Sequence, residues 1–400
     1  MTDWSSSSAT YKVRTRDQHY QEPGPKRILA LDGGGLRGIL SLAMLKQVEN
    51  ILKARHGGDD SFRLSHYFDL IAGTSTGSVI AAGLAKGMTV DEILVEYHRL
   101  GTKVFQKTWQ RYGHGLVRAE YDSQPLADEL QRMFGSAGTM SDEILHTGLL
   151  VVTKRLDSGS TWPISNNPKG RYYATRENSS TIGNGEYPIW TVIRASSAAP
   201  TYFQSERIEI AKGSDTMDPV VGDFIDGGVS PHNNPALQAL MYATLEGYNV
   251  NWEKGADKLL LVSMGTGADT VSREVKKIEG MTGVEALESL MDDNASLMET
   301  LLQWMSSSPT AKEIDRELGN LEGDSLGANE VMSYLRYNIP LNKEYLNSEV
   351  YTDFTSEQAK YIATLDSPAN MPILQIIGNE VGKKIITDQH FPAVFDLPSA

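Results

Sequence analysis

Three glycine-flanked clusters carry the residue types that could do chemistry. Gly73-Thr74-Ser75-Thr76-Gly77 sets a serine in a G-x-S-x-G pattern. A serine hydroxyl is a weak nucleophile unless a base stands beside it and a sharp turn lifts it clear of the backbone. In a chain with 36 glycines the pentapeptide alone is a weak signal, and a capped glycine turn reads the same way. Asp226-Gly227-Gly228 follows the apolar pair Phe224-Ile225, so its carboxylate belongs at a strand end. Such a carboxylate can take a serine proton directly within hydrogen-bond reach, although an aspartate before glycines also suits a plain turn.

The third cluster is Asp32-Gly33-Gly34-Gly35-Leu36-Arg37-Gly38. Consecutive glycines let backbone N–H groups converge, and a helix N-terminus behind them favours an anion. In an acyl transfer that anion would be the oxyanion of the tetrahedral intermediate. Arg37 could add charge there, or brace the loop through a salt bridge. Asp32 reads as a structural carboxylate that fixes the loop's amides.

The same loop matches G-x-G-x-x-G through Gly33, Gly35 and Gly38, which suggests a dinucleotide-binding oxidoreductase with Asp59 or Asp60 as the ribose acid. Asp59 follows Gly57-Gly58 in a polar turn, where a strand end is needed, and this reading leaves Ser75 unexplained. A P-loop is excluded because no G-K-[ST] follows. Of eight histidines only His232 falls in a strand-end loop, so the carboxylate is the stronger candidate base.

The clusters need elements to position them. Ile28 to Leu31 is an apolar run ending in glycines, as a buried parallel strand would be. Leu36 to Arg55 predicts a helix, Phe68 to Ala72 a second strand, and a helical stretch follows Gly73 through Ala85. Val90 to Phe105 predicts a helix, Leu149 to Thr153 a strand, Trp190 to Ala199 a helix, Asp223 to Ile225 a strand, Pro235 to Glu246 a helix and Leu259 to Met264 a strand. Strand, glycine turn, helix, repeated, is the pattern of an α/β fold with a mostly parallel sheet. Active sites of such sheets gather at the strands' carboxyl ends, where all three clusters fall. Val284 to Met305 is apolar at helical spacing, which suits packing on the core and also suits lipid contact. Tyr202 and Phe203 suit either an acyl pocket or aromatic packing.

The bulk properties narrow the partners. The 400 residues carry a net charge of −14, which argues against a nucleic-acid partner. It does not exclude apolar contact with a bilayer, so peripheral membrane contact is retained. The absence of cysteine removes disulfides, thiolate metal sites and cysteine catalysis. Residues 1–25 are polar with no apolar signal segment, and Leu70 to Ala85 is too short to span a membrane. A cytoplasmic location is expected.

Taken in order, D-G-G-G-x-R-G, G-x-S-x-G about 40 residues later and D-G-G about 150 residues after that resemble the patatin-like phospholipase family. Arg194 to Phe203 and Asn233-Asn234-Pro235 are similar to its segments around the catalytic aspartate. The resemblance spans roughly residues 26 to 270. It implies a three-layer α/β fold with helices flanking a central, mostly parallel sheet. It implies a Ser75–Asp226 dyad, an oxyanion hole at Gly33, Gly34, Gly35 and Arg37, and support from Asp32, Gly38, Gly73, Gly77, Gly227 and Gly228. No cofactor and no metal are implied, and the substrate class is phospholipid or another acyl lipid. The expected organisation is a polar arm over 1–25, a catalytic domain over 26–280 and a helical extension over 281–400 packed on it. An alternative within the family is a membrane-degrading effector triggered through that extension.

Overall fold

The computed structural model describes residues 11–105, 121–177, 179–214, 216–268, 283–321, 323–350 and 353–399. Its strands are β1 (Lys26–Leu31), β2 (Leu70–Thr74), β3 (Gly148–Arg155), β4 (Ser160–Ser165), β5 (Glu206–Ala211), β6 (Val220–Asp226), β7 (Leu259–Met264), β8 (Ser306–Ser307) and β9 (Met332–Tyr337). Its α-helices are α1 (Arg16–Gln21), α2 (Gly38–Arg55), α3 (Leu64–Tyr67), α4 (Thr76–Ala85), α5 (Val90–Val104), α6 (Gln124–Phe134), α7 (Ile189–Ser196), α8 (Ala236–Thr244), α9 (Gly283–Trp304), α10 (Lys343–Val350), α11 (Ser356–Ile362) and α12 (Met371–Ile385).

The strands form one sheet in the order β5-β6-β3-β2-β1-β7-β9-β8, with β4 also paired to β3. The centre, from β3 through β2, β1 and β7 to β9, is parallel. Pairs β3–β4, β3–β6 and β5–β6 are antiparallel. All six residues of β1 and all six of β7 are buried, which is why Ile28 to Leu31 and Leu259 to Val262 run apolar without alternation. Side chains nevertheless alternate between two cores. Leu29, Leu31, Ile71, Leu260 and Val262 join α2, α4, α5, α7 and α12 on one face. Ile28, Ala30, Leu70, Ala72, Leu259 and Leu261 join α8 and the end of α9 on the other. The result is the expected three-layer arrangement.

The helical extension expected over 281–400 also contributes to the sheet. β9 lies fully buried beside β7 and lengthens the central sheet. Its sequence, MSYLRY, sets a serine and an arginine among its apolar residues, so it does not read as a core strand. Within α9, Met298 and Leu302 are buried, while Leu297 and Trp304 face outward. That bears on the packing reading of the stripe; the side chains of Leu287, Leu290 and Met291 lie outside the description.

The polar arm is described from residue 11 onward. From residue 11 it docks on the sheet: Tyr11 and His19 are buried, and Arg14 and His19 both reach Asp69. Residues 1–10, with their serine run, lie outside the described residues.

Candidate active site

Strand β3 aligns the two central residues. Its one edge carries β4 along its length. Its other edge carries β2 as far as Thr74 opposite Val152, and then β6, whose Asp226 stands opposite Thr153. The residue after Thr74 is Ser75, so nucleophile and carboxylate leave two strands that meet end to end.

Ser75 turns out of β2 into α4 with φ 53° and ψ −131°, a conformation L-residues avoid. Holding it costs on the order of 1–3 kcal/mol. The turn is held by neighbours. Ser75 N–H donates to Ser196 Oγ at 2.9 Å, and Ser196 Oγ–H donates to the Val152 carbonyl at 2.6 Å. Ser78 Oγ–H donates to the Ser75 carbonyl at 2.5 Å. Gly77 sits where a Cβ would lie 2.3 Å from the Leu31 carbonyl oxygen, so the helix can start only this close to β1 without a side chain.

Ser75 Oγ–H donates to Asp226 Oδ2 at 2.5 Å, with both residues nearly buried. Asp226 Oδ1 accepts the Gly228 N–H at 2.6 Å, and Asp226 N–H donates to the Ala198 carbonyl at 3.0 Å. Burial pushes the Asp226 carboxyl up to about 6, against the opposing pull of the bonds from Ser75 and Gly228. A carboxyl poised near neutrality is matched to proton transfer. His232 stands close by, but it offers its backbone carbonyl to Thr74 Oγ1 at 2.7 Å.

The glycine loop lies against the nucleophile: a Cβ built on Gly33 would sit 3.0 Å from Ser75 Cβ. Its donors are unequally engaged. Gly33 N–H donates to the Asn233 carbonyl at 3.1 Å, Leu36 N–H to the Leu365 carbonyl at 2.7 Å, and Arg37 N–H to the Gly34 carbonyl at 3.1 Å. The Arg37 side chain donates to the Ala363 carbonyl at 3.3 Å. Between these committed groups lie Gly34 and Gly35, both partly exposed.

Asp32 is not turned to the loop's own amides. Its carboxylate takes a two-pronged bond from Arg336 of β9, at 3.0 and 2.7 Å. Burial acts to lower the Arg336 pKa, but the charge and hydrogen bonds of Asp32 more than reverse this. Burial also pushes the Asp32 carboxyl upward against the pull of Arg336. The bidentate geometry favours the ionised pair.

Asp59 and Asp60, the acids of the dinucleotide reading, lie beyond the far end of α2, with Asp60 paired to Lys53. Eighteen residues of helix put them about 27 Å from the glycine loop. That reading is overturned. Phe203 packs against Phe105 and under the Arg194 guanidinium, as core aromatics do. Sequence reasoning gave no role to Ser196, Asn233, Ser263 or Arg336. The first two lie in stretches it singled out; the others carried no local signal. Among the described residues, no helix is long and apolar enough to cross a membrane. A cavity of about 630 Å³ lies apart from the dyad, bordered by Gln303, Ser307, Asn320, Asp324, Ser333 and His390.

A profile of the family described as patatin-like phospholipase matches residues 29–240, more than half of the chain. The chain belongs to the patatin-like phospholipase family. It is 28% identical over 265 residues to a cGAMP-activated phospholipase of Vibrio cholerae, covering 64% of this chain and 68% of that one. It is 29% identical to a cGAMP-activated phospholipase of Escherichia coli, covering 54% of this chain and 55% of that one. It is also 31% identical to an intracellular phospholipase A2 of Caenorhabditis elegans, over 60% of this chain and 19% of that one. Among solved structures, VipD from Legionella pneumophila aligns over 94% of this chain and 71% of its own, with 13% identity and a TM-score of 0.33.

Proposed function

We propose that the chain is a lipid acyl hydrolase working through a Ser75–Asp226 dyad. The observation that carries the reading is the 2.5 Å bond from Ser75 Oγ to Asp226 Oδ2 at the end of a strained strand-to-helix turn. Asp226 accepts the hydroxyl proton as Ser75 Oγ bonds to the ester carbonyl carbon. The carbonyl oxygen becomes an oxyanion facing the Gly34 and Gly35 N–H groups, the loop donors whose neighbours are already engaged. Each well-aimed donor of this kind lowers the barrier by about 3–4 kcal/mol. When the intermediate collapses, the ester C–O bond breaks and the proton passes from Asp226 to the departing alcohol. Asp226 then deprotonates a water, which attacks the acyl carbon; when this second intermediate collapses, the C–O bond to Ser75 breaks, the proton passes from Asp226 to Ser75 Oγ and the fatty acid is freed.

The test is hydrolysis of a p-nitrophenyl ester and of mixed phospholipid vesicles by wild type, Ser75→Ala and Asp226→Ala, in EDTA. Loss of turnover in both variants with intact circular dichroism supports the dyad. Turnover by Ser75→Ala equal to wild type would falsify it.

A second reading holds the enzyme silent until a ligand binds. It is favoured by the likeness to the cGAMP-activated phospholipases of Vibrio cholerae and Escherichia coli. It is also favoured by the contact of residues 363–365 with the glycine loop. A cyclic dinucleotide added to the vesicle assay tests it: stimulation supports the trigger, and full activity without it removes the need for one.

A further inference from the structure

We propose that Arg336 is a positioning residue for the esterase centre, setting the glycine loop by its grip on Asp32. The inference rests on the acyl-hydrolase reading above. Arg336 stands on β9 beside Ser263 of β7, and Ser263 stands beside Ala30 of β1. Its guanidinium therefore reaches across one whole strand to the residue that follows β1. Nη1 donates to Asp32 Oδ1 at 3.0 Å and to Ser263 Oγ at 2.8 Å, and Nη2 donates to Asp32 Oδ2 at 2.7 Å. Ser263 Oγ–H donates onward to Asn234 Oδ1 at 3.3 Å. Asn234 follows Asn233, whose carbonyl holds the Gly33 N–H. One network thus anchors Asp32 and Gly33, the two residues at the entry to the loop.

The loop needs such an anchor because glycine does not hold its own conformation. Gly34 and Gly35 are partly exposed, and Gly35 has φ +56°. A fork fixes the plane and direction of the carboxylate as well as its distance, which a point charge does not. Arg336 has a second, more distant charge partner. Glu299 of α9 faces Arg336 Nε at 3.8 Å, beyond hydrogen-bond distance, and is held instead by Lys312 at 2.8 Å. An ion pair buried here only to fill space could be replaced by apolar side chains without loss. A pair that sets the loop could not.

The experiment uses full-length wild type, Arg336→Gln, Arg336→Lys, Asp32→Asn and the Asp32→Asn/Arg336→Gln double variant. It measures kcat and KM on p-nitrophenyl butyrate and the rate at which a fluorophosphonate labels Ser75, all normalised to folded protein. Arg336→Gln and Asp32→Asn should each lower kcat and labelling about 10- to 100-fold, somewhat less than loss of an oxyanion donor itself. KM should stay within about threefold, and Arg336→Lys should recover part of the rate because charge without the fork is half a repair. The double variant should be no slower than the slower single variant, as expected for two ends of one interaction. Wild-type kcat per folded molecule, or additive losses in the double variant, overturns the proposal. If Arg336→Gln does not fold, the double variant and Arg336→Lys carry the test, since neither leaves a buried charge without a partner. Ser75→Ala in parallel separates the two failures. Full activity there sinks the dyad; its loss alongside an unimpaired Arg336→Gln sinks only the positioning role.

Discussion

Ser75 and Asp226 are 151 residues apart in the chain and 2.5 Å apart in space. β3 brings them together, because β2 and β6 share one of its edges end to end. Their spacing is therefore set by sheet register, and a one-residue slip of β6 would turn the carboxylate to the other face.

Removing either member of the dyad should remove turnover. Asp226→Asn keeps the size of the side chain but cannot take a proton. Its kcat should fall about 10²–10⁴-fold, the usual contribution of a positioned base. Phospholipid hydrolysis followed by released fatty acid checks this. An Asp226→Asn rate within threefold of wild type would show that the base lies elsewhere.

Turnover should depend on pH through the same carboxyl. Asp226 must be ionised to act, and burial sets its pKa at about 6. The logarithm of kcat/KM should rise with unit slope below pH 6 and level off above it. A profile flat from pH 5 to 8 contradicts the assignment.

The dyad should also weaken the fold. A carboxyl whose pKa is raised from 3.8 to about 6 binds its proton more tightly when folded. The native state therefore loses stability as pH rises through that window, by about 3 kcal/mol once both states are ionised. Asp226→Asn should be the more stable protein at pH 8 and lose that advantage near pH 4. Urea titrations at the two pH values measure it; equal midpoints at pH 8 would refute it.

A methyl group at Gly77 should be poorly tolerated. It would meet the Leu31 and Asp32 carbonyl oxygens at 2.3 and 2.6 Å. Gly77→Ala should lower stability by about 1–3 kcal/mol, as overpacking does. It should reduce Ser75 labelling by a fluorophosphonate even in the folded fraction. Unchanged melting and labelling would mean that α4 can retreat from β1.

The cluster beneath the sheet should make the protein acid-labile. Burial holds His19 down at about 4, against the pull of Asp69. A histidine kept neutral in the fold stabilises fully above its unfolded value near 6.5, and this is lost as pH falls toward 4. Burial opposes the charge of Asp69, but Arg27, His19 and Arg14 overcome it and hold its carboxyl well below the usual range. Its contribution is present above pH 4 and is lost at lower pH. Asp69→Asn should cost about 3–5 kcal/mol at pH 7, because it leaves two arginines without their partner. Denaturant unfolding at pH 7 decides; a loss below 1 kcal/mol would show that the cluster is solvated.

The sequence alone determined which residues could do the chemistry and which strand ends they occupy. Glycine runs and fully apolar strands are local signals, so β1, β7, the turn at Ser75 and the carboxylate at Asp226 were legible from short windows. Leu259 to Met264 was placed to the residue. Other features depended on non-local pairing. β9 could not be read, because Ser333 and Arg336 interrupt the apolar run that marks a core strand, and the groups they bond to lie far away in sequence. The docked arm from residue 11 was hidden for a related reason: Arg14 and His19 are buried against Asp69, 55 and 50 positions later. Tertiary structure alone decided which N–H groups of the glycine loop are engaged, since the carbonyls of Asn233 and Leu365 accept from Gly33 and Leu36. It alone placed Arg336, 304 residues from Asp32, across β7 at the entry to the loop. Spacing along a chain carries no information about which side chain will span two strands, and that is where the sequence ceased to inform.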